Sequence, residues 1–373
     1  MKINIVIDSL ASGGAERVAV TLANYWVEFK RWEVTVIVIG DGSKDFYELS
    51  PKVNKILLNS IKPRKNILDG VFNSVKRVLK LRAVLLRIQA NATIGFMPMA
   101  NIWCALACLG TNLKVYGTEH THPPFLELNK SFIWRNFRKY CYGWLNAVSS
   151  LTQESATYVK KETRSKNNLI IPNPIKYPVP TQEPIINPFN ILDTIGGKKY
   201  LLTVGRLTES KGFDCLLNVY AKIADDFPTW RLIILGDGEL RSELKKIKEN
   251  LDLQDKVIMP GVVGNIGEWY EVADCYVMSS KYEGFGNTLA EAMCYGLPCI
   301  STDCDVGPRD IITHNVDGLL IENDNEEALK QALIKIMSDA NLRTRLSKNA
   351  INIRDKFNVE TISKKWEEAF DKY

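Results

Sequence analysis

Glu283 and Glu291 are separated by seven residues, in the run Lys-Tyr-Glu-Gly-Phe-Gly-Asn-Thr-Leu-Ala-Glu at 281–291. Residues 273–280 alternate and then break, as a short strand does. A strand that turns through Gly284 and Gly286 into a helix leaves unpaired N–H groups at the helix start. Such a start favours a phosphate through hydrogen bonds and the helix dipole. Glu283 stands at the mouth of the turn and Glu291 further along the helix. Two carboxylates around an anion site suit a ligand with hydroxyls on both sides of a phosphate bridge, as in a nucleotide-diphosphate sugar. The plain alternative is a solvated surface helix.

Four other stretches carry chemistry. Arg206 and Lys211 lie five apart between a strand and a helix, so both cations can converge on a diphosphate; alone they read equally as a solvated basic pair. Asp237, in Gly236-Asp237-Gly238, reads as a helix cap. Ser12-Gly13-Gly14-Ala15-Glu16 follows the first strand and is not the Gly-x-Gly-x-x-Gly dinucleotide fingerprint. Its glycines admit a ligand close to the backbone, while Glu16 either meets that ligand or complements its own helix dipole. Glu119-His120-Thr121-His122 holds two of the three His of the chain. His122 reads as incidental. Asp303-Cys304-Asp305 imitates an Asp-x-Asp cation site, and we expect no metal there.

The elements that must position these residues alternate. Strands are expected at 3–7, 34–39, 92–96, 114–117, 200–204, 231–235 and 257–259, with helices at 15–29, 213–224, 240–249 and 359–370. That alternation predicts parallel sheets flanked by helices. The apolar window 94–110 contains Pro98 and Asn101, is too short to span a bilayer, and reads as a buried strand, loop and helix. Prolines at 172, 174, 178, 180, 184 and 188 mark a hinge. The expected domains are 1–180 and 181–355, with the last helix, 356–373, returning to the first.

The chain has 373 residues, enough for two cores. Its eight Cys form no Cys-x-x-Cys pair and read as buried free thiols, and three His make a zinc site improbable. The charge is uneven. Residues 1–190 hold 25 Lys and Arg against 13 Asp and Glu, a net +12, leaving 23 against 30, or −7, for the rest. Helical stretches at 71–88 and 125–144 interleave cations (Lys76, Arg77, Lys80, Arg82, Arg87; Arg135, Arg138, Lys139) with apolar and aromatic residues. They read either as core-facing helices with solvated basic faces or as surfaces for an anionic membrane. The second reading places the protein in the cytoplasm, peripheral at the inner face of the membrane. No nucleic-acid platform emerges.

The Glu-x7-Glu run, Gly205-Arg206-Leu207 with Lys211-Gly212, and Val306-Gly307-Pro308-Arg309 resemble the retaining glycosyltransferases of family 4. The resemblance implies a GT-B fold, with two Rossmann-like domains facing across a ligand cleft. Implied in the donor site are Gly14, Arg206, Lys211, Val263, Glu283, Gly284, Phe285, Gly286, Asn287, Thr288 and Glu291. Glu283 would contact the donor sugar, Glu291 the ribose, the glycine-rich turn the diphosphate, and the backbone near Val263 the base. Catalytic roles fall to Glu283, His120, Arg206 and Lys211, and acceptor contacts to Glu16 and His120. The Gly-Gly-Ala-Glu-Arg opening and the Glu-His loop are similar to enzymes that extend undecaprenyl-diphosphate-linked oligosaccharides. The implied reaction moves a hexose or N-acetylhexosamine (GalNAc, Gal or Glc) from a UDP-sugar to a lipid-linked saccharide, without metal or cofactor. A sugar-nucleotide epimerase and a non-catalytic donor-binding subunit remain the alternatives.

Overall fold

Runs of β-branched residues make the strands. Ile3, Ile5, Val6 and Ile7 are sealed from solvent on both faces of the first strand, as a parallel sheet covered by helices requires. The computed structural model describes residues 1–60, 67–121, 131–193 and 196–373. They form two compact units, Met1–Pro174 with Val359–Tyr373, and Ile175–Asn358.

In the first unit the strands are β1 (Lys2–Ile7), β2 (Glu33–Val38), β3 (Asn54–Leu57), β4 (Ala92–Phe96), β5 (Val115–Glu119), β6 (Ala147–Ser150) and β7 (Asn168–Ile170). They run parallel in the order β3-β2-β1-β4-β5-β6-β7. The helices are α1 (Gly14–Glu28), α2 (Ile67–Ile88), α3 (Met97–Cys108), α4 (Phe132–Tyr142) and α5 (Gln153–Glu162). No loop intervenes within the apolar window: Phe96 passes directly into α3 through Met97, at φ +77°, and Pro98 occupies the first turn, where its missing N–H costs nothing. The last helix, Val359–Lys372, belongs to this unit. Trp26 donates its indole N–H to Ser363 at 2.9 Å, and Phe370 meets Trp26, Trp32 and Tyr116.

The second unit repeats the plan with β8 (Lys199–Val204), β9 (Trp230–Leu235), β10 (Val257–Gly261), β11 (Cys275–Met278), β12 (Cys299–Asp303) and β13 (Leu319–Glu322), ordered β10-β9-β8-β11-β12-β13. Helices α6 (Phe213–Ala221), α7 (Arg241–Asn250), α8 (Ile266–Val272) and α9 (Asn287–Cys294) follow its first four strands. In each sheet the order reverses once, between β1 and β4 and between β8 and β11. The carboxyl ends of strands at such a reversal are where open α/β sheets bind ligands. All eight Cys are free thiols, seven of them buried.

Candidate functional site

In the second unit, two loops leave the reversal point and are fastened together. Gly212, at φ +62°, lies so close to β11 that a Cβ would stand 2.3 Å from the Ser279 carbonyl oxygen. The Ser279 hydroxyl donates to the Lys211 carbonyl at 3.0 Å, and the Lys281 N–H donates to Ser210 at 2.8 Å. This fastening brings Lys211 Nζ to 2.6 Å from Glu283 Oε1, which also accepts the Ser280 hydroxyl at 2.6 Å. Arg206 is exposed and has no ion-pair partner among the described residues.

The turn after Glu283 is held from beneath. Phe285 is buried edge-on against Phe357, at 5.1 Å and 84°, so it serves the site through its backbone. Gly286 starts α9 at φ +101°, and no side chain caps the helix. Ala290 N–H makes the first intrahelical bond, to the Gly286 carbonyl at 3.1 Å. The N–H groups of Asn287, Thr288 and Leu289 precede it and point outward from the helix start. The Thr288 hydroxyl donates to the Val204 carbonyl at 3.3 Å and accepts from Tyr276 at 2.8 Å, tying α9 to the end of β8. Gly284 is half-buried beside Glu283. Glu291 is buried and accepts the Tyr270 hydroxyl at 3.2 Å. Val263 is half-buried; the next residue, Gly264, donates its N–H to the Pro184 carbonyl at 2.6 Å.

Asp237 caps no helix. Its carboxylate takes the Gly238 N–H at 2.8 Å and pairs with Arg241 at 3.7 Å, because α7 starts later, at Arg241. The Asp303 carboxylate is held by Arg309 at 2.9 Å.

In the first unit, Gly14 is exposed at the start of α1 and the Glu16 carboxylate folds back over Gly13, lying 2.1 Å from where a Cβ would be. His120 follows β5 and stacks on Phe96 at 5.1 Å and 15°. It lines a narrow cleft with Val18, Leu22, Ser149, Asn173 and Trp366. Although His120 is partly exposed as a residue, both ring nitrogens are shielded, and among the described residues neither has a partner in good hydrogen-bonding geometry. Burial pushes the imidazole down to about 4, with the nearby Asn173 side chain acting weakly in the other direction, so the ring is neutral at physiological pH. His122 lies outside the described residues.

Arg138 corrects the sequence reading. It faces inward from α4, 2% exposed, and donates to Glu119 Oε1 from Nη2 at 2.7 Å and Nε at 3.3 Å. Burial opposes its charge, but the Glu119 carboxylate more than offsets this and raises the guanidinium pKa.

Residues 12–176 match the Glycosyltransferase Family 4 family, and residues 187–353 match Glycosyl transferases group 1. An uncharacterized glycosyltransferase of Methanocaldococcus jannaschii is 30% identical over 86% of this chain and 90% of its own. The chain belongs to the family 4, group 1 glycosyltransferases. A Campylobacter jejuni α-1,4-N-acetyl-D-galactosaminyltransferase, named for a GalNAc-GalNAc-diNAcBac-PP-undecaprenol substrate, is 29% identical over 98% of this transferase and 97% of its own chain. The Anabaena protein HepE, crystallised with UDP-glucose, superposes with a TM-score of 0.81 at 18% identity, covering both chains fully, which shows a shared GT-B fold.

Within this glycosyltransferase, the second unit presents a cation, a carboxylate and a helix start together. That set can neutralise a departing diphosphate while a carboxylate accepts sugar hydroxyls. Glu119, Arg138, Tyr270 and Ser280 were missed as site-supporting residues from sequence. For Arg138 a signal existed: it lies three and four residues before Cys141 and Tyr142, and so on their buried helix face.

Proposed function

We propose that this glycosyltransferase moves a hexose or N-acetylhexosamine from a UDP-sugar to a lipid-linked saccharide, retaining the anomeric configuration. The observation that carries the reading is Lys211 and Glu283 joined at 2.6 Å beside the uncapped start of α9. In the reaction the bond between the anomeric carbon and the phosphate oxygen breaks, and the acceptor oxygen bonds to that carbon on the same face. The acceptor proton passes to the departing phosphate. Arg206, Lys211 and the amides of the Gly284–Gly286 turn and the α9 start stabilise the UDP charge, which requires no metal or cofactor. Glu283 orients the sugar, Glu291 takes the ribose hydroxyls, and the backbone near Val263 meets the base. Gly14, Glu16 and neutral His120 serve the sugar and acceptor from the first unit.

An anionic membrane is the surface we propose for the acceptor's lipid. Phe72, Val75, Leu79 and Leu86 form an exposed stripe on α2, flanked by exposed Lys76, Lys80 and Arg87. On α4, Phe132, Ile133, Phe137 and Tyr140 are exposed beside Arg135 and Lys139. Both helices pack on α3, and apolar residues among cations suit a headgroup interface. Two such basic faces would repel in a self-dimer. Among the described residues no helix is long and apolar enough to cross a membrane.

The test supplies UDP-GalNAc, UDP-Gal or UDP-Glc with an undecaprenyl-diphosphate-linked saccharide and measures UDP release and product configuration by NMR. Release with any pair, giving an α-linked product from an α-donor, supports the reading. No UDP with any pair sinks it, and epimerised donor without UDP release favours the epimerase. Sedimentation with phosphatidylglycerol vesicles, reduced by Ile133→Ser with Phe137→Ser, tests the membrane face; equal recovery without vesicles would overturn it.

A further inference from the structure

His120 is held at its base. Among the described residues its ring nitrogens meet only the weak influence of Asn173, whereas the chain just before it is clamped on both sides. Asn101, on α3, donates Nδ2 to the Thr118 carbonyl at 2.9 Å and accepts the Thr118 N–H on Oδ1 at 3.1 Å. Asn101 fits there because Gly95 and Gly117 have no side chains: a Cβ on Gly95 would stand 2.7 Å from Asn101 Oδ1, and one on Gly117 3.0 Å from its Cγ. The same Nδ2 reaches the Tyr142 hydroxyl at 3.0 Å. Tyr142 in turn donates to Glu119 Oε1, which also receives Arg138, and the Arg138 guanidinium lies over the Tyr142 ring at 4.7 Å. All four side chains are buried.

Burying two charges gains little stability over a well-packed apolar pair. What the pair does supply is direction. It fixes Glu119, the last residue of β5, against α4, and Glu119 immediately precedes His120. We propose that the Glu119–Arg138–Tyr142–Asn101 cluster positions His120, making Arg138 and Tyr142 positioning residues for the transfer. The proposal rests on the reading of His120 as a site residue. Arg138 and Tyr142 touch no substrate in this scheme; they set the angle and depth at which the imidazole stands in its cleft.

The experiment uses the full chain with histidine isotopically labelled, His120 being assigned by its loss in His120→Gln. Arg138→Lys and the gentler Tyr142→Phe are compared for turnover, donor KM and the His120 imidazole signals. Misplacement of a catalytic group predicts a fall in kcat of about tenfold to a hundredfold. Donor KM should stay within about twofold of the parent, because the residues proposed to hold the diphosphate, ribose and base sit on the other unit, and the His120 signals should shift. In the His120→Ala background Arg138→Lys should add no further loss. Variants that lower the melting temperature but leave kcat and the His120 signals unchanged would overturn the proposal, as would losses that multiply with that of His120→Ala. If His120→Ala leaves turnover intact, the site reading of His120 fails, and the positioning claim is then decided by the imidazole signals alone.

Discussion

The two sheets share one strand plan, yet the residues at their carboxyl edges are charged in opposite styles. Beyond β8 and β11, Lys211 and Glu283 stand on loops with side chains 24% and 10% exposed, and Arg206 is open to solvent. At the end of β5, the charged pair Glu119–Arg138 is sealed inside against α4, and the group left at the surface of the cleft is a neutral histidine. The same topology thus presents two kinds of charge environment. Accessible charges suit a diphosphate, whose own charge must be met. A rigid neutral group suits an uncharged saccharide hydroxyl.

Breaking the sealed pair should have the largest effect. Arg138→Met leaves the Glu119 carboxylate buried without its cation, with an expected loss of about 3–5 kcal/mol in chemical denaturation. An unchanged midpoint would show that the first unit does not depend on its hidden charges. The equivalent cut in the second unit, Lys211→Ala, should leave folding nearly intact but lower kcat about 10²–10³-fold, read as UDP release, with Glu283→Ala similar. Comparable destabilisation of both units would erase the contrast.

Histidine sharpens the comparison through pH. Burial holds the folded His120 near 4, while the unfolded chain takes its proton near 6.5, so between those values the unfolded state binds more protons. Stability from this group is complete above about pH 6.5 and falls as the pH drops toward 4, by at most about 3 kcal/mol. The difference between parent and His120→Gln in urea titrations at pH 7 and pH 4.5 measures it, and no difference would mean that the ring is hydrated. The smallest effect is expected at Glu291→Gln, which keeps an acceptor for Tyr270: a rise in donor KM of about tenfold with kcat little changed.

Much of the fold was readable. Strand 92–96 matched β4, and the long apolar runs of β1, β8 and β9 were found within a residue or so of their ends. The strands β3, β6, β7, β12 and β13 were not: each is three to five residues long and too short on its own to separate a strand from a buried loop, whereas β4, equally short, lies within a long apolar run. In the candidate site, Glu283, Lys211 and the Gly284–Gly286 turn were legible from spacing and flanking elements. The inward aim of Arg138 was missed, although its spacing to Cys141 and Tyr142 marks the buried face, because the exposed aromatic residues around it read as surface. Thr288 shows a different gap: its hydroxyl is spent on Val204 and Tyr276, which sequence spacing does not reveal.

The sequence by itself determined the alternation of strands and helices, the family, and which residue types crowd the strand ends, because those follow from local periodicity and short motifs. Tertiary structure alone decided which charges meet. Lys211 and Glu283 are 72 positions apart and Glu119 and Arg138 are 19 apart. The first pair forms because parallel strands deliver two distant loops to the same sheet edge, and the second because a helix packs back over the end of β5. Whether a pair is then open to ligand or sealed depends on what packs over it, and packing is a property of the folded chain.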